Sequence, residues 1–500
     1  MPSEKVILTL DLGTSHLKAG LFTPTGTLVG SASRPSRLLR PHPTWCEQDL
    51  STLYADVVAC LGACLANAGV SARAVIGLAL TGQGDGTRLI AADGSPVRPA
   101  ILWQDARATA IVQHWWKTGA ATAVAEITGS ALSASHQTAQ LAWLIAHEPH
   151  SIRAASHVLY AKDWLFYLLT GVLGTDQSDA SHTYLDFRTR QTSPETLRIL
   201  DLEAVAHLLP PVLVGAETVA PLCDPAAAQI GLPVGLPVVL APFDLVAELI
   251  AVGGVEAGVG CSVMGTAGIH QVSVAAEGVL PSYTGEITYI PGNDGLIRFV
   301  PTMLAMPNID YWTAMLYPEV LHKVGAARWE DLEQHLAAVP PGAEGVLYVP
   351  FLSPSGERSP YFNPEARAQF TGMTLNHRRE HLLRAVYEGV VLAAAYSYRH
   401  LPRYTPPLHL TGGGASSPIL AQIFADMMGV PVSAHHRAGA ALRGALAVAG
   451  VRLGIYPDLR TAAHLLEPPH SAYAPDLAAH QQYSALQNQY SQHVAYMFQK

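Results

Sequence analysis

The chain repeatedly sets a short, β-rich apolar run directly before an acidic residue or a turn of small residues. Residues 6–10 read V-I-L-T-L and lead into Asp11 and the turn L-G-T-S. Residues 74–81 (A-V-I-G-L-A-L-T) deliver G-Q-G-D-G-T at 82–87, and 236–242 (L-P-V-V-L-A-P) deliver Phe243-Asp244. Two further runs, C-S-V-M and L-H-L-T, deliver Gly265-Thr266-Ala267-Gly268 and Gly412-Gly413-Gly414-Ala415-Ser416-Ser417. Segments with helical spacing follow or lie between them, at 50–68, 108–118, 138–147, 162–170, 245–252 and 418–428. Strand, polar loop, helix in alternation predicts an α/β fold. Strands buried on both faces read as continuous apolar runs. That accounts for 49% apolar and only 14% charged residues. At 500 residues the chain is long for one core, and both halves carry such strands. The expected organisation is two related lobes facing a cleft, residues 1–248 and 249–500, with no tandem repeat. Ser51 is the expected N-cap of the 50–68 helix.

Composition narrows the partners. Thirty basic residues against 39 acidic ones give a net charge of −9, and no Lys/Arg block stands out. Nucleic-acid binding is therefore not expected. No uninterrupted apolar run reaches the ~18 residues of a spanning helix; the best stretch, 232–252, is broken by Asp244 and Glu248. No membrane is expected as partner. The first ten residues lack a basic segment followed by an apolar one, so no signal peptide is expected. Five cysteines, an odd count without C-x-x-C, suit a reducing compartment and suggest no zinc site. A cytoplasmic location follows as expectation.

Several phosphate-binding and catalytic signatures fail. There is no Gly-Lys pair for a P-loop. Thr87 stands where a dinucleotide fingerprint needs its last glycine, and Gly260 to Gly265 miss a nucleophile elbow by one residue. What remains is three small-residue turns, at 13–15, 265–268 and 412–414, each after an apolar run. Glycine lets backbone N–H groups approach phosphate oxygens, and Thr or Ser hydroxyls add donors. Asp11 and Asp244 share one context, the end of a strand. Phosphoryl transfer needs a carboxylate near Mg²⁺ and another to take the proton of the attacking hydroxyl.

An ordered set of motifs resembles the FGGY family of carbohydrate kinases over essentially the whole chain. It comprises D-L-G-T-S (11–15), W-C-E-Q-D-L (45–50), T-G-Q-G-D-G (81–86), L-W-Q-D-A-R (102–107) and K-D-W-L…L-T-G (162–171). It continues with P-F-L-S-P-S-G-E-R-S-P (350–360), A-Q-F-T-G-M…H-L-L-R-A-V-Y-E (368–388) and T-G-G-G-A-S-S (411–417). The resemblance implies a two-lobed ribonuclease H-like/actin-like ATPase fold with ATP and Mg²⁺ in its central cleft and a sugar or polyol deeper in. It implies Asp244 as general base and Asp11 facing Mg²⁺ and the transferring phosphate. Thr14, Ser15, Gly265 and Thr266 would hold phosphates, and Gly412, Gly413 and Ser417 would line the nucleotide. Gln83, Asp85, Trp103 and Asp105 would face the substrate. A homo-oligomer is common in the family.

The chain also departs from the pattern. Xylulokinases resemble G-Q-M-H-G where this chain has Gly84 and Asp85, and a family lysine is replaced by Gln140. G-Q-G-D-G-T, Q-L-A-W, K-D-W-L and L-D-F-R-T-R (185–190) are most similar to the erythritol kinase subgroup. A carboxylate at 85 suits the vicinal hydroxyls of an acyclic polyol. Erythritol is thus the first expectation, with xylulose, another pentulose or glycerol as alternatives. An actin- or chaperone-like ATPase acting on a protein is the alternative from another class. The pair His136-Gln137 reads as surface.

Overall fold

The computed structural model describes residues 5–498, apart from 182, 293, 323–325, 361 and 436–438. Twelve strands matter below: β1 Val6–Leu12, β2 His16–Phe22, β3 Leu28–Pro35, β4 Val75–Gly82, β5 Val219–Pro221, β6 Pro237–Leu240, β7 Val259–Met264, β8 Gly268–Val274, β9 Leu296–Thr302, β10 Thr405–Thr411, β11 Val432–Ala434 and β12 Ser471–Tyr473. Five helices accompany them: α1 Leu50–Ala68, α2 Ala161–Thr170, α3 Asp244–Ala251, α4 Pro418–Met428 and α5 Ala440–Arg452.

The chain forms two compact units. One comprises residues 1–257, 273–297 and 439–468; the other comprises 258–272, 298–438 and 469–500. The C-terminal half thus returns twice to the first unit, a chain path that the local pattern does not display.

The first unit is built on a six-stranded sheet in the order β5-β6-β4-β1-β2-β3. Its centre is parallel, with β1 beside β4 and β4 beside β6, and β2 and β3 continue it antiparallel. Every residue of β1 is buried, as a central strand covered on both faces requires. The parallel register pairs Asp11 with Thr81, so the strand ends that carry Asp11 and Gln83 emerge on the same edge. Ligands of open α/β sheets bind at that carboxyl edge.

Helix α1 is long and apolar enough to cross a membrane by length and composition. Leu50, Leu53, Val57, Cys60, Leu61 and Cys64, spaced along one stripe, instead join the core of the first sheet. Its N-cap is Asp49 and not Ser51: the Asp49 carboxylate accepts from Thr52 N at 2.7 Å. Asp49 simply lies one residue ahead of the helix, where a cap must be.

The second unit orders its strands β9-β8-β7-β10-β11-β12. β7 and β10 are parallel, as are β10 and β11, and β12 adds an antiparallel edge. α4 follows the glycine loop after β10, in the same strand–loop–helix grammar.

Candidate active site

Asp11 closes β1 and is buried among apolar strands. Burial pushes its carboxyl up from the usual range, and Lys18, opposite it on β2, pulls it partly back. Its Oδ1 is buried with no hydrogen-bond partner among the described residues. A buried carboxylate oxygen left in that state is costly unless something cationic meets it. The donor chemistry at Asp11 therefore fits a hard divalent cation such as Mg²⁺.

Asp244 is the first residue of α3, with its Oδ1 accepting from Leu245 N at 2.7 Å. Its carboxyl is held well above the ordinary range, first by burial, then by Asp11, Glu248 and Asp179. The segment that delivers it is tied down at two points. Thr81 Oγ1 donates to Pro242 O at 2.6 Å, and Phe243 N donates to Ser178 Oγ at 3.1 Å.

Thr14, Gln83 and Trp103 form one hydrogen-bonded chain. Trp103 Nε1 donates to Thr14 Oγ1 at 2.7 Å, and Thr14 Oγ1 donates to Gln83 Oε1 at 3.0 Å. The hydroxyl expected to meet phosphate is thus engaged by two residues expected to meet substrate. Ser15 is exposed, and its carbonyl accepts from Ser36 N at 2.9 Å.

The Gly82–Gly86 loop needs its small residues. A Cβ at Gly84 would stand 2.6 Å from the Phe243 ring and 3.3 Å from Asp179 Oδ1. Asp85 follows in the left-handed region (φ +58°), a conformation Asp tolerates better than most residues. Its carbonyl accepts from the wholly buried Arg88 at 3.1 Å, and Gln137 Nε2 donates to Gly86 O at 3.2 Å. Tyr184 in turn donates to Gln137 Oε1 at 2.8 Å. Gln137 therefore braces this loop, and both His136 and Gln137 are buried, which corrects their reading as surface.

Asp105 is also corrected. Its Oδ1 accepts from Arg107 N and Nε, both at 2.9 Å; its Oδ2 accepts from Cys46 N at 2.7 Å and Arg107 at 2.8 Å. Four donors fill the four lone-pair sites of a carboxylate, leaving none for a substrate. Arg107 also meets Glu47 at 2.6 Å and lies over the Trp45 ring at 4.1 Å. The W-C-E-Q-D and L-W-Q-D-A-R motifs thus meet as a structural clasp.

One group was missed in sequence. Lys162 on α2 is fully buried, with its Nζ 2.9 Å from Asp163, 2.5 Å from Asp176 and 2.8 Å from Asp179. Asp176 accepts from Ser178 N and Oγ, both at 2.9 Å, and Ser178 Oγ is the acceptor for Phe243 N. The cluster therefore reaches the residue before Asp244. K-D in the sequence marked two of its members; Asp176 and Asp179 come from a separate segment.

In the second unit the two remaining loops are brought together. Gly412 adopts φ +77°, and a Cβ there would stand 2.8 Å from the Met264 carbonyl. The Gly412 turn thus lies directly on the start of the Gly265-Thr266 turn. That turn is fixed by Met306 N donating to Gly265 O at 3.1 Å and Ala305 N donating to Thr266 O at 2.9 Å. Gly265 and Thr266 are half-buried and Gly413 is exposed, with open space beside its Cα. Ser417 differs from expectation: it is buried, and its hydroxyl caps α4 by accepting from Leu420 N at 3.3 Å. A serine directly before a proline at N1 is a cap.

Comparison with known proteins agrees with this architecture. Residues 6–251 match the family model "FGGY family of carbohydrate kinases, N-terminal domain", and 260–453 match its C-terminal domain. An erythritol kinase of Brucella abortus (strain 2308) is 35% identical over 495 residues, covering 96% of this chain and 94% of that protein. An L-xylulose/3-keto-L-gulonate kinase of Escherichia coli (strain K12) is 31% identical, covering 98% and 96%. The crystal structure of a xylulose kinase from Rhodospirillum rubrum superposes with a TM-score of 0.84 at 26% identity, covering 99% of each chain. The fold is the two-domain, actin-like ATPase fold of such kinases. The chain belongs to the FGGY family of carbohydrate kinases and is an ATP-dependent sugar or polyol kinase.

Proposed function

We propose that the chain is a cytoplasmic kinase that moves the γ-phosphoryl group of ATP to a hydroxyl of a small acyclic polyol, erythritol first. Asp244 takes the proton of that hydroxyl while its oxygen forms the new bond to phosphorus. The bond from phosphorus to the bridging oxygen breaks, and ADP leaves with the electron pair. A Mg²⁺ held at Asp11 would neutralise phosphate charge and offset the repulsion that raises the Asp244 carboxyl. Residues 1–248 supply the acceptor side. There the Trp103–Thr14–Gln83 chain and the Asp85 loop orient hydroxyls. Residues 249–500 supply the nucleotide side through the backbones of Gly265, Thr266, Gly412 and Gly413.

The observation that supports a polyol is the Gly84–Asp85 pair. Gly84 lets the loop sit against Phe243 and Asp179, and an acidic residue follows it in the loop. A carboxylate accepts paired hydroxyl donors, and sites built on such pairs reject analogues lacking one. The 35% identical erythritol kinase supports the same choice. L-Xylulose is the second reading, supported by the 31% identical relative.

The test is ADP release over erythritol, threitol, glycerol, both xylulose enantiomers, ribulose and xylitol. Erythritol is expected to give the highest kcat/KM. Another clear winner would overturn the substrate, and no stimulation by any of them would overturn the transfer reaction. Gly84→Ala should raise KM for the polyol while leaving KM for ATP within about twofold, because the new methyl displaces Phe243. Overpacking of this kind costs about 1–3 kcal/mol. Equal rises in both constants would count against the loop as acceptor site.

A further inference from the structure

We propose that His409, His435 and His470 form a binding site for a divalent transition cation of the zinc class, separate from the phosphoryl-transfer site. The three residues come from three neighbouring strands of the second unit. His409 lies in β10, His435 follows β11 directly, and His470 directly precedes β12. The register brings them to one edge. Ala434 pairs with Ser471 in the antiparallel ladder, so His435 and His470 are the next cross-strand pair. His435 N donates to Leu410 O at 2.8 Å, which carries the β10–β11 ladder to the same level.

Neighbouring rings lie close in two pairs. His409 Nδ1 and His435 Nε2 stand 3.0 Å apart, with ring centroids at 5.3 Å. His435 and His470 have centroids at 5.1 Å and donor nitrogens within 4.8 Å of each other. Two imidazole ligands on a tetrahedral cation, with metal–nitrogen bonds of about 2.0–2.1 Å, have nitrogens roughly 3.3 Å apart. The first pair is already near that spacing, and the second closes onto it by a side-chain rotation of the exposed His470. Three protein ligands leave a fourth position for water, the usual arrangement of an accessible zinc site.

Donor chemistry decides the class. Imidazole suits Zn²⁺, Co²⁺, Ni²⁺ and Cu²⁺, whereas Mg²⁺ and Ca²⁺ want oxygen. Zinc was not expected on short-range cysteine and histidine spacing, and histidines far apart in the chain escape any such pattern. Bound there, the cation would tie edge strand β12 to β11 and β10. Anything that binds the folded state alone stabilises it.

The test uses metal-stripped full-length protein in excess Mg²⁺, with Co²⁺ as spectroscopic probe and ZnCl₂ in thermal denaturation. Wild type is expected to bind a single Co²⁺ with visible ligand-field absorption of tetrahedral intensity, and to gain Tm with ZnCl₂ but not with further MgCl₂. His470→Ala, at an exposed position that leaves the fold intact, and His409→Ala should both lose the absorption and the Tm gain. ATP turnover in Mg²⁺ should be unchanged in His470→Ala, which keeps failure of this site distinct from failure of the kinase. Absence of cobalt absorption in wild type, or its persistence in both variants, would overturn the proposal.

Discussion

Asp244→Asn should cut turnover by roughly 10²–10⁴-fold, the usual worth of a positioned general base, while KM for ATP changes little. Asparagine keeps the shape of the side chain, and its carbonyl can still accept from Leu245 N, so α3 should start as before. The amide cannot take a proton from the acceptor hydroxyl. The same site predicts the direction of a pH effect. Burial, Asp11, Glu248 and Asp179 all push the Asp244 carboxyl up, and only its ionised form works as a base. The acid limb of kcat/KM should therefore rise at higher pH than an ordinary aspartate would give. Glu248→Gln removes one like charge on the same helix, so that limb should move to lower pH. The measurement is a kcat/KM profile for the polyol, with the thermal midpoint of each variant as a folding control. A folded Asp244→Asn protein with wild-type turnover would remove Asp244 from the mechanism, and an unmoved limb in Glu248→Gln would remove the electrostatic account.

The architecture was legible because it rests on local pattern. β1 is a continuous apolar run since both of its faces are covered, and the acid that ends it stands out for the same reason. Asp244 was visible on identical grounds. What local pattern cannot show is which distant groups meet a side chain. The resemblance put Asp105 at the substrate, yet Cys46 N and the Arg107 guanidinium consume its carboxylate. Thr14 sits in a phosphate-loop motif, but its hydroxyl bonds Gln83 and Trp103, residues brought to it by separate strands and loops. Ser417 is a different case, because Ser-Pro at a helix start was readable as a cap from the sequence alone. There the resemblance outweighed a local signal that was right.

Lys162→Met should lower the thermal midpoint steeply. The ammonium is the cation that faces Asp163, Asp176 and Asp179 at ion-pair distance, and all four residues are buried. Removing one partner of a buried ion pair costs about 3–5 kcal/mol, because the other is left charged in a poorly solvating interior. For a unit of about 300 residues, at about 2.1 cal/mol/K of unfolding entropy per residue, that is a fall of roughly 5–8 °C. Methionine fills nearly the same volume, so packing loss is a minor part. Catalysis should suffer as well, since Asp176 holds Ser178 and Ser178 holds the backbone of Phe243. Even with the lysine present the cluster is over-supplied with acid. Burial and its neighbours push Asp179 up to about 7 despite Lys162. An aspartate in the unfolded chain titrates near pH 4. Between about pH 4 and pH 7 the folded state then holds a proton that the unfolded chain has released, so this group makes stability fall as pH rises through that window and has no further effect above it. Asp179→Asn should flatten that fall and leave Lys162 paired with Asp163 and Asp176. Thermal midpoints of wild type and both variants across pH 5–8 test the whole account. An unchanged midpoint in Lys162→Met, or an unchanged slope in Asp179→Asn, would mean the cluster is not what holds the Asp244 segment in place.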